Sequence, residues 1–544
     1  MNALFKTNTL FYGDNLEVMR KYFSNECIDL IYLDPPFNSK ADYNVLFKES
    51  TGEESTAQIQ AFSDAWHWDI SAKHAYDNLA TNAPNDVSNL ITAFYDSIGK
   101  NDMLAYLVMM GERLIELHRV LKPTGSIFLH CDPTASHYLK ILMDSIFKPH
   151  NFKNEIVWRR SHPKGHAYTR LASNHDIILR YAKDATQTKW KMQYADYDPG
   201  TVATQYKLKD EDGRPYQLTS LLNPNLNRPN LTYEFKGVTR VWRWTKERML
   251  EEDAKGRIIV PREGKGIPRY KRYLDEQEGI PIDDVWIDID YAKGGERIGY
   301  PTQKPIELLE RIINASSDEG DWVLDPFCGC GTAVVASEKL RRHWIGIDIT
   351  YLAINLIRNR LKDSFPNAIF KIEGEPRDMD GAKALAKTPF QFEWWALSLI
   401  GARPSGSTEA NPRVGKKGAD QAVDGWLKFA DGAEGHYDKI IVSVKSGHVG
   451  VKDIRELRDT ISRQNGAMGI FITLEEPTSE MMKEVKVTDP YISPRWKTEY
   501  PKIQILTIEQ LLRGEKPNIP QTVNLFQEAP KMLRASNHIE TKLD

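Results

Sequence analysis

Cysteine is scarce: four residues in a chain of 544, two of them separated by a single glycine. The scarcity excludes a disulfide scaffold, and the spacing excludes a CxxC…CxxC zinc site. No apolar run approaches the ~18 residues that a membrane span needs. The opening residues, MNALFKTNTLFYGD, lack the charged-then-apolar layout of a signal peptide. Neither charge dominates. With 72 Lys and Arg against 75 Asp and Glu, a net −3, no overall basic excess announces nucleic acid. The chain has no internal repeat, no low-complexity tract, no GxxxxGK[ST] phosphate loop and no HExxH zinc helix. These absences leave a soluble enzyme of the cytoplasm, with no membrane partner, as the expectation. At roughly 100–200 residues per domain the length suggests two to four domains.

What is present alternates. Up to about residue 185, strand-like runs (Asp29–Leu33, Ser126–His130, Asp176–Arg180) are separated by helical stretches, one of them from Leu104 to Leu121 and stopping at Lys122-Pro123-Thr124-Gly125. This rhythm suggests a parallel sheet with covering helices. It breaks from about 186 to 297, where Pro, Gly and aromatics scatter, and returns from about 300 to 375. There Pro305 opens a helix, Trp322–Leu324 is a strand, Thr332–Leu340 a helix and Trp344–Ile347 another strand. Residues 376–388 read as a linker, 389–515 as a smaller α/β region and 516–544, with three prolines, as a poorly ordered tail.

Two motifs carry chemistry. Asp34-Pro35-Pro36-Phe37 follows the apolar strand directly, at the carboxyl end where open α/β sheets bind ligands. Proline removes N–H donors, so the turn offers acceptors: the Asp34 carboxylate and the backbone carbonyls. With Phe37 as a stacking surface, the motif suits a planar group bearing an NH₂; the plain alternative is a turn after a strand. The second motif, Asp325-Pro326-Phe327-Cys328-Gly329-Cys330-Gly331-Thr332, also lies between a strand and a helix. Gly329 and Gly331 allow close backbone approach to a ligand. The next strand ends at Asp348, about 20 residues on, where a carboxylate can hold ribose hydroxyls. That fits an adenosine-containing cofactor without a pyrophosphate. Cys328 and Cys330 read as small packing residues.

Together with Tyr12-Gly13-Asp14-Asn15 and Pro301-Thr302-Gln303-Lys304-Pro305, these motifs resemble the S-adenosylmethionine-dependent amino-methyltransferases of DNA in their β-type order. Arg228-Pro229-Asn230-Leu231, Lys271–Asp275 and Gly295-Glu296-Arg297 extend the similarity, which covers about residues 8 to 375, toward type III modification subunits. The resemblance implies an α/β, Rossmann-like methyltransferase sheet over 1–375, with 186–297 as an inserted target-recognition region. Asp325, Phe327, Gly329, Gly331 and Thr332 would line the methionine end of the cofactor, Asp348 its ribose and Asp14 its adenine. Gln303, Lys304 and Pro305 would border the pocket, unless Lys304 is only a surface charge at a helix start. Asp34 and the Pro35 carbonyl would accept hydrogen bonds from the target amine. Pro36 would shape the turn, and Phe37 would stack on a base flipped out of the duplex. An exocyclic amine conjugated to its ring is a poor nucleophile. Two acceptors favour a tetrahedral nitrogen whose lone pair can displace a sulfonium methyl, by positioning and aimed dipoles, with no metal needed. The DPPF form rather than SPPY implies adenine N6 over cytosine N4.

DNA would be held by the stretch Lys236–Tyr273, where twelve Lys or Arg meet five Asp or Glu and Trp242, Trp244, Tyr270 and Tyr273 interleave. A solvated charged face is the plain alternative. Trp66-His67-Trp68-Asp69 either borders the base pocket or is buried in an insertion. In the C-terminal region, Glu393, Asp424 after Gly418-Ala419-Asp420, and a strand ending in Ser443-Val444-Lys445 resemble an Mrr-type, PD-(D/E)xK restriction-endonuclease-like domain, strengthened by Gly450–Leu457. Such sites hold Mg²⁺ and activate water. Here a hydroxyl, Ser443, replaces the second carboxylate, so the domain is either a weak nuclease requiring Mg²⁺ or one retained to bind DNA. The overall expectation is a site-specific adenine-N6 DNA methyltransferase with a nuclease-like domain, as a homodimer or with a restriction subunit. A restriction enzyme whose methyltransferase half mainly locates DNA is the alternative of another class, and a protein or RNA substrate the least favoured one.

Overall fold

The computed structural model describes residues 5–36, 67–162, 169, 171–261, 266–293, 296–298, 300, 302–404, 423–429, 438–494 and 496–520. Phe37, Trp66, Gly295 and Gly418–Asp420 lie outside the described residues. Two units result, Lys191–Asp283 and the remainder.

In the larger unit nine strands form one sheet: β1 (Asn8–Tyr12), β2 (Ile28–Leu33), β3 (Leu121–Cys131), β4 (Phe152–Arg159), β5 (His175–Ala182), β6 (Val285–Trp286), β7 (Trp322–Asp325), β8 (His343–Asp348) and β9 (Phe370–Glu373). Their order is β6-β4-β5-β3-β2-β7-β8-β1-β9. All pairings are parallel except those of β5, which runs antiparallel to both β3 and β4. The expectation of a parallel sheet therefore holds for six of the eight strand pairings but misses the two made by β5, because an apolar run reads alike in either direction. β2 is buried at every position, as a central strand covered on both faces must be.

The helices follow local signals. α1 (Asn15–Tyr22) is capped by Asp14, which accepts from the Leu16 and Glu17 N–H groups at 2.9 and 3.2 Å. α2 (Ile70–Asn82), α3 (Asn85–Ile98), α4 (Asp102–Val120) and α5 (Pro133–Phe147) pack Leu79, Ile91, Leu107 and Leu139 in one core with Ile31 and Ile127 of the sheet. Beyond α6 (Ile306–Ser316), α7 (Thr332–Lys339) and α8 (Tyr351–Ser364) place Val334 and Ile357 with Leu10 and Trp344 in a second core. The stretch expected to be a linker holds α9 (Met379–Leu385), started by Asp378, whose carboxylate accepts from the Gly381 N–H at 2.8 Å.

α10 (Pro389–Leu399) leads into a second sheet, β10 (Arg403–Pro404), β11 (Gly425–Phe429), β12 (Asp438–Lys445), β13 (Met468–Thr473) and β14 (Ile503–Thr507), paired in that sequential order. β12, β13 and β14 are parallel, and α11 (Val451–Arg463) is the crossover. Phe392 and Trp395 of α10 share a core with Ile440, Val442 and Val444, and also with Tyr351 and Leu352 of α8. Gln391 fastens that junction, its Oε1 accepting from the Tyr351 N–H at 2.8 Å.

The smaller unit has a four-stranded sheet (Ile258–Ile259, Arg269–Tyr273, Pro215–Ser220, Leu208–Lys209) and a hairpin, Thr232–Phe235 with Val238–Val241. The hairpin turns on Lys236 and Gly237, both at positive φ, as a tight two-residue turn requires. Leu221, Phe235, Trp242, Met249 and Ile258 form its core. No helix among the described residues is long and apolar enough to cross a membrane.

Candidate active site

Adjacent strands β2, β7 and β8 bring Asp34, Asp325 and Asp348 to one edge of the sheet. Asp34 follows the end of β2, with Pro35 buried and Pro36 exposed beside it. Its carboxylate Oδ2 accepts from the Lys304 ammonium at 2.5 Å, both side chains being largely shielded, 16% and 10% exposed. The reading of Lys304 as a surface charge is thereby corrected: 270 residues separate the partners, and only the fold joins them.

The glycine turn is built as the sequence suggests. Asp325 accepts from the Phe327 N–H at 3.1 Å, and Gly329 donates to Asp348 at 2.9 Å. Gly331 sits at φ +77°, where an added Cβ would meet Ile357 at 2.6 Å; only glycine fits there. Thr332 opens α7 and donates its hydroxyl to the Lys304 carbonyl at 3.3 Å. Cys328 and Cys330 are buried, unpaired thiols, Cys328 within the Leu10–Val334 core. Asp348 also accepts from the Thr350 N–H and hydroxyl at 2.9 and 2.8 Å.

Burial dominates the electrostatics of these acids. It pushes the Asp348 carboxyl up to about 6 against the hydrogen bonds it accepts. Asp325 is pushed well above the usual carboxylate range by burial first, then by repulsion from Asp34 and Asp348. A cationic ligand would relieve that repulsion.

Other expected residues take internal positions. Asp14, besides capping α1, accepts from Arg113 Nη2 at 2.6 Å; Arg113 Nε also donates to Asn15 Oδ1, and Asn15 donates to the Pro326 carbonyl at 2.7 Å. Tyr12–Asn15 is thus tied to the glycine turn through Asn15. Gln303 turns its amide to the preceding loop, donating to the Glu296 carbonyl at 2.7 Å and accepting from the Ile298 N–H at 3.0 Å. Pro305 stands at the start of α6, whose first N–H, that of Ile306, is taken by the Glu296 carboxylate. Trp68 packs with Tyr76 and Tyr95, and Asp69 caps α2.

Two further features were not read from the sequence. Tyr300 lies against the glycine turn, its ring 3.4 Å from where a Gly329 Cβ would stand. Tyr32, two residues before Asp34, is 3.0 Å from His130 Nδ1, and His130 Nε2 is 3.1 Å from Asp176. This chain is buried, and Arg160 closes it with a 2.9 Å pair to the other oxygen of Asp176. In sequence Tyr32, His130 and Asp176 are polar residues set within apolar strands, the one available signal.

The nuclease-like set is only partly assembled. The Ser443 hydroxyl and the Val444 N–H both donate to Asp424 Oδ2, at 3.1 and 2.7 Å. Ser443 and Lys445 alternate along β12 with Ile441, on the face covered by α11, whereas Glu393 rides on α10, which packs against the other face. Among the described residues no three His, Cys, Asp or Glu side chains are grouped to hold a metal ion.

A family model described as DNA methylase, covering N6 and N4 amino-methyltransferases, matches residues 28–359, and one described as NACHT-associated inactive restriction endonuclease 1 matches residues 410–513. The chain is 30% identical over 366 residues to the type II methyltransferase M.EcaI of Enterobacter cloacae, covering 66% of this chain and 70% of that one. It is 26% identical over 349 residues to the Mod subunit of the type III restriction-modification enzyme StyLTI of Salmonella typhimurium, covering 60% of this chain and about half, 49%, of that protein. Among solved structures, the M1.HpyAVI–SAM complex matches 65% of this chain and 98% of its own at 14% identity and a TM-score of 0.32.

Proposed function

The chain belongs to the DNA methylase family of N6 and N4 amino-methyltransferases, and from that premise we propose that it transfers a methyl group from S-adenosylmethionine to the N6 amine of adenine at specific sites in duplex DNA. The observation that carries this reading is the adjacency of Asp34-Pro35-Pro36, at the end of β2, to the glycine turn and Asp348 at the ends of β7 and β8.

The residues fit the cofactor. Gly331 leaves a cradle that a Cβ would fill, Asp348 offers acceptors for ribose hydroxyls, and the crowded carboxylates favour a cation. When bound, S-adenosylmethionine supplies a methyl group made electrophilic by its sulfonium sulfur. Asp34 and the Pro35 carbonyl accept from the amine hydrogens and so turn the nitrogen lone pair out of conjugation. The resemblance of the DPPF form supports adenine.

The smaller unit supports DNA binding. In the basic stretch, Lys236, Lys255 and Arg257 are paired with Asp253, Glu252 and Glu276. Exposed Arg240, Arg243, Arg248, Arg269 and Arg272 show no acidic partner among the described residues and are available to phosphates. For the C-terminal domain we propose no cleavage: Asp424 Oδ2 is taken by Ser443 and the β12 backbone, and among the described residues no three His, Cys, Asp or Glu side chains group around it to hold a metal ion.

Labelled S-adenosylmethionine and unmethylated genomic DNA, followed by nucleoside mass spectrometry, tests the reading. N6-methyladenine is expected. N4-methylcytosine would change the base, and absence of label from DNA would overturn the proposal.

A further inference from the structure

Lys304 connects the two halves of the site. At its backbone, the carbonyl accepts from the Thr332 hydroxyl, and Arg360 braces the same turn by donating to the Cys330 carbonyl at 3.0 Å. Pro305, at φ −67°, fixes the chain immediately after it. At its tip, the ammonium lies 2.5 Å from Asp34 Oδ2. One side chain thus runs from the turn that would hold the cofactor to the carboxylate that would hold the amine.

The chemistry of a carboxylate gives this contact a consequence. Its two oxygens share one rotatable bond, so fixing one aims the other. An ammonium is a compact point charge that occupies one oxygen, where a guanidinium would tend to engage both. With Oδ2 held, Oδ1 is left to accept from an incoming NH₂. An ammonium shielded this far from water also keeps its partner for as long as the site stays dry.

Resting on the function proposed above, we propose that Lys304 is a positioning residue for methyl transfer: it clamps one carboxylate oxygen of Asp34 and thereby aims the other at the target amine. It touches neither reacting atom. Its charge also makes it a local opponent of any cation in the pocket, so its removal should alter the balance between a sulfonium ligand and a neutral thioether.

The experiment uses the full chain, unmethylated duplex DNA, and the variants K304M and K304R. Three quantities are read: the single-turnover transfer rate at saturating cofactor, the Kd for S-adenosylmethionine and for S-adenosylhomocysteine, and the melting temperature. K304M should lower the saturated rate by about 100-fold, the scale of a misplaced reacting group. Its preference for the sulfonium over the thioether should rise about fivefold, through loss of a neighbouring positive charge. K304R, whose guanidinium tends to engage both oxygens and leaves none aimed at the amine, should keep the charge yet stay within about threefold of the K304M rate. If K304M does not fold, K304Q takes its place under the same criteria.

A saturated rate within about threefold of wild type in the neutral variant overturns the role. So does an equal weakening of both cofactor affinities with the saturated rate unchanged, which would make Lys304 a wall of the cofactor pocket. A wild-type protein that binds both compounds but labels no DNA overturns the function itself. A wild type that labels DNA as well as K304M does overturns only the positioning role.

Discussion

At the ends of β2, β7 and β8, three carboxylates crowd together and one ammonium, that of Lys304, is set among them. In the C-terminal sheet a single aspartate, Asp424, stands beside the equivalent end of β12, where one of its oxygens accepts from both the neighbouring hydroxyl and N–H. Both are acids at strand ends in an α/β sheet. The first group is held in a state that burial and like charge make uncomfortable, which is what a ligand can relieve. The second is anchored through one oxygen to its own fold, and among the described residues it belongs to no group of three metal-binding side chains. A strand-end aspartate therefore signals a ligand site only when its partners leave it unsettled.

The largest effect that could break this comparison is at Asp34. Asp34→Ala should abolish methyl transfer while cofactor affinity, measured by calorimetry, stays close to wild type; Asp424→Ala should leave transfer per folded molecule unchanged. Loss of transfer in the Asp424 variant would dissolve the contrast. Next comes Asp348. With its carboxyl raised to about 6 by burial, the protonated form is favoured in the free fold, so its contribution to stability is full below about 4 and lost as pH climbs through 6. A ribose hydroxyl donating to the ionised carboxylate reverses the preference. Cofactor affinity should therefore rise by about tenfold across that window, and Asp348→Asn should flatten the profile.

Smaller effects concern stability. Asp424→Ala strands the Val444 N–H and should cost about 1–3 kcal/mol in denaturant titration of the fold. Gly331→Ala, forced against Ile357 at positive φ, should cost a similar amount, about 1–3 kcal/mol, and should weaken cofactor binding as well. Equal melting of the Gly331 variant and the wild type would show that the turn yields more than its packing suggests. Finally, plasmid incubated with Mg²⁺ should remain uncut whether methylated or not; cutting of either would return Asp424 to the class of working acids.

Much of the methyltransferase half was legible because its signals are local. Asp34-Pro35-Pro36 and Asp325–Thr332 each announce themselves within eight residues, next to apolar runs that are visibly strands. The Lys304–Asp34 pair was not legible, since nothing in sequence joins residues so far apart. Nor was the Tyr32–His130–Asp176 chain, whose members come from three strands that become neighbours only when β5 inserts against β3. Asp14 shows duties its motif did not announce: it caps α1 and accepts from Arg113, a partner 99 residues away. Glu393 was grouped with Asp424 by resemblance, and the alternation of β12 and the packing of α10 assign them to opposite faces.

Helix α8 has one more consequence. Ile357 on one side backs the glycine turn, while Tyr351 on another lies in the core of Phe392 and Trp395 and is fastened by Gln391. The methyltransferase sheet and the C-terminal domain accordingly share a cooperative unit rather than a tether. Cutting the chain near residue 375 would expose an aromatic core instead of freeing a module. By the same linkage, a ligand bound at the glycine turn would slow amide hydrogen exchange in Pro389–Leu399, a helix it never touches.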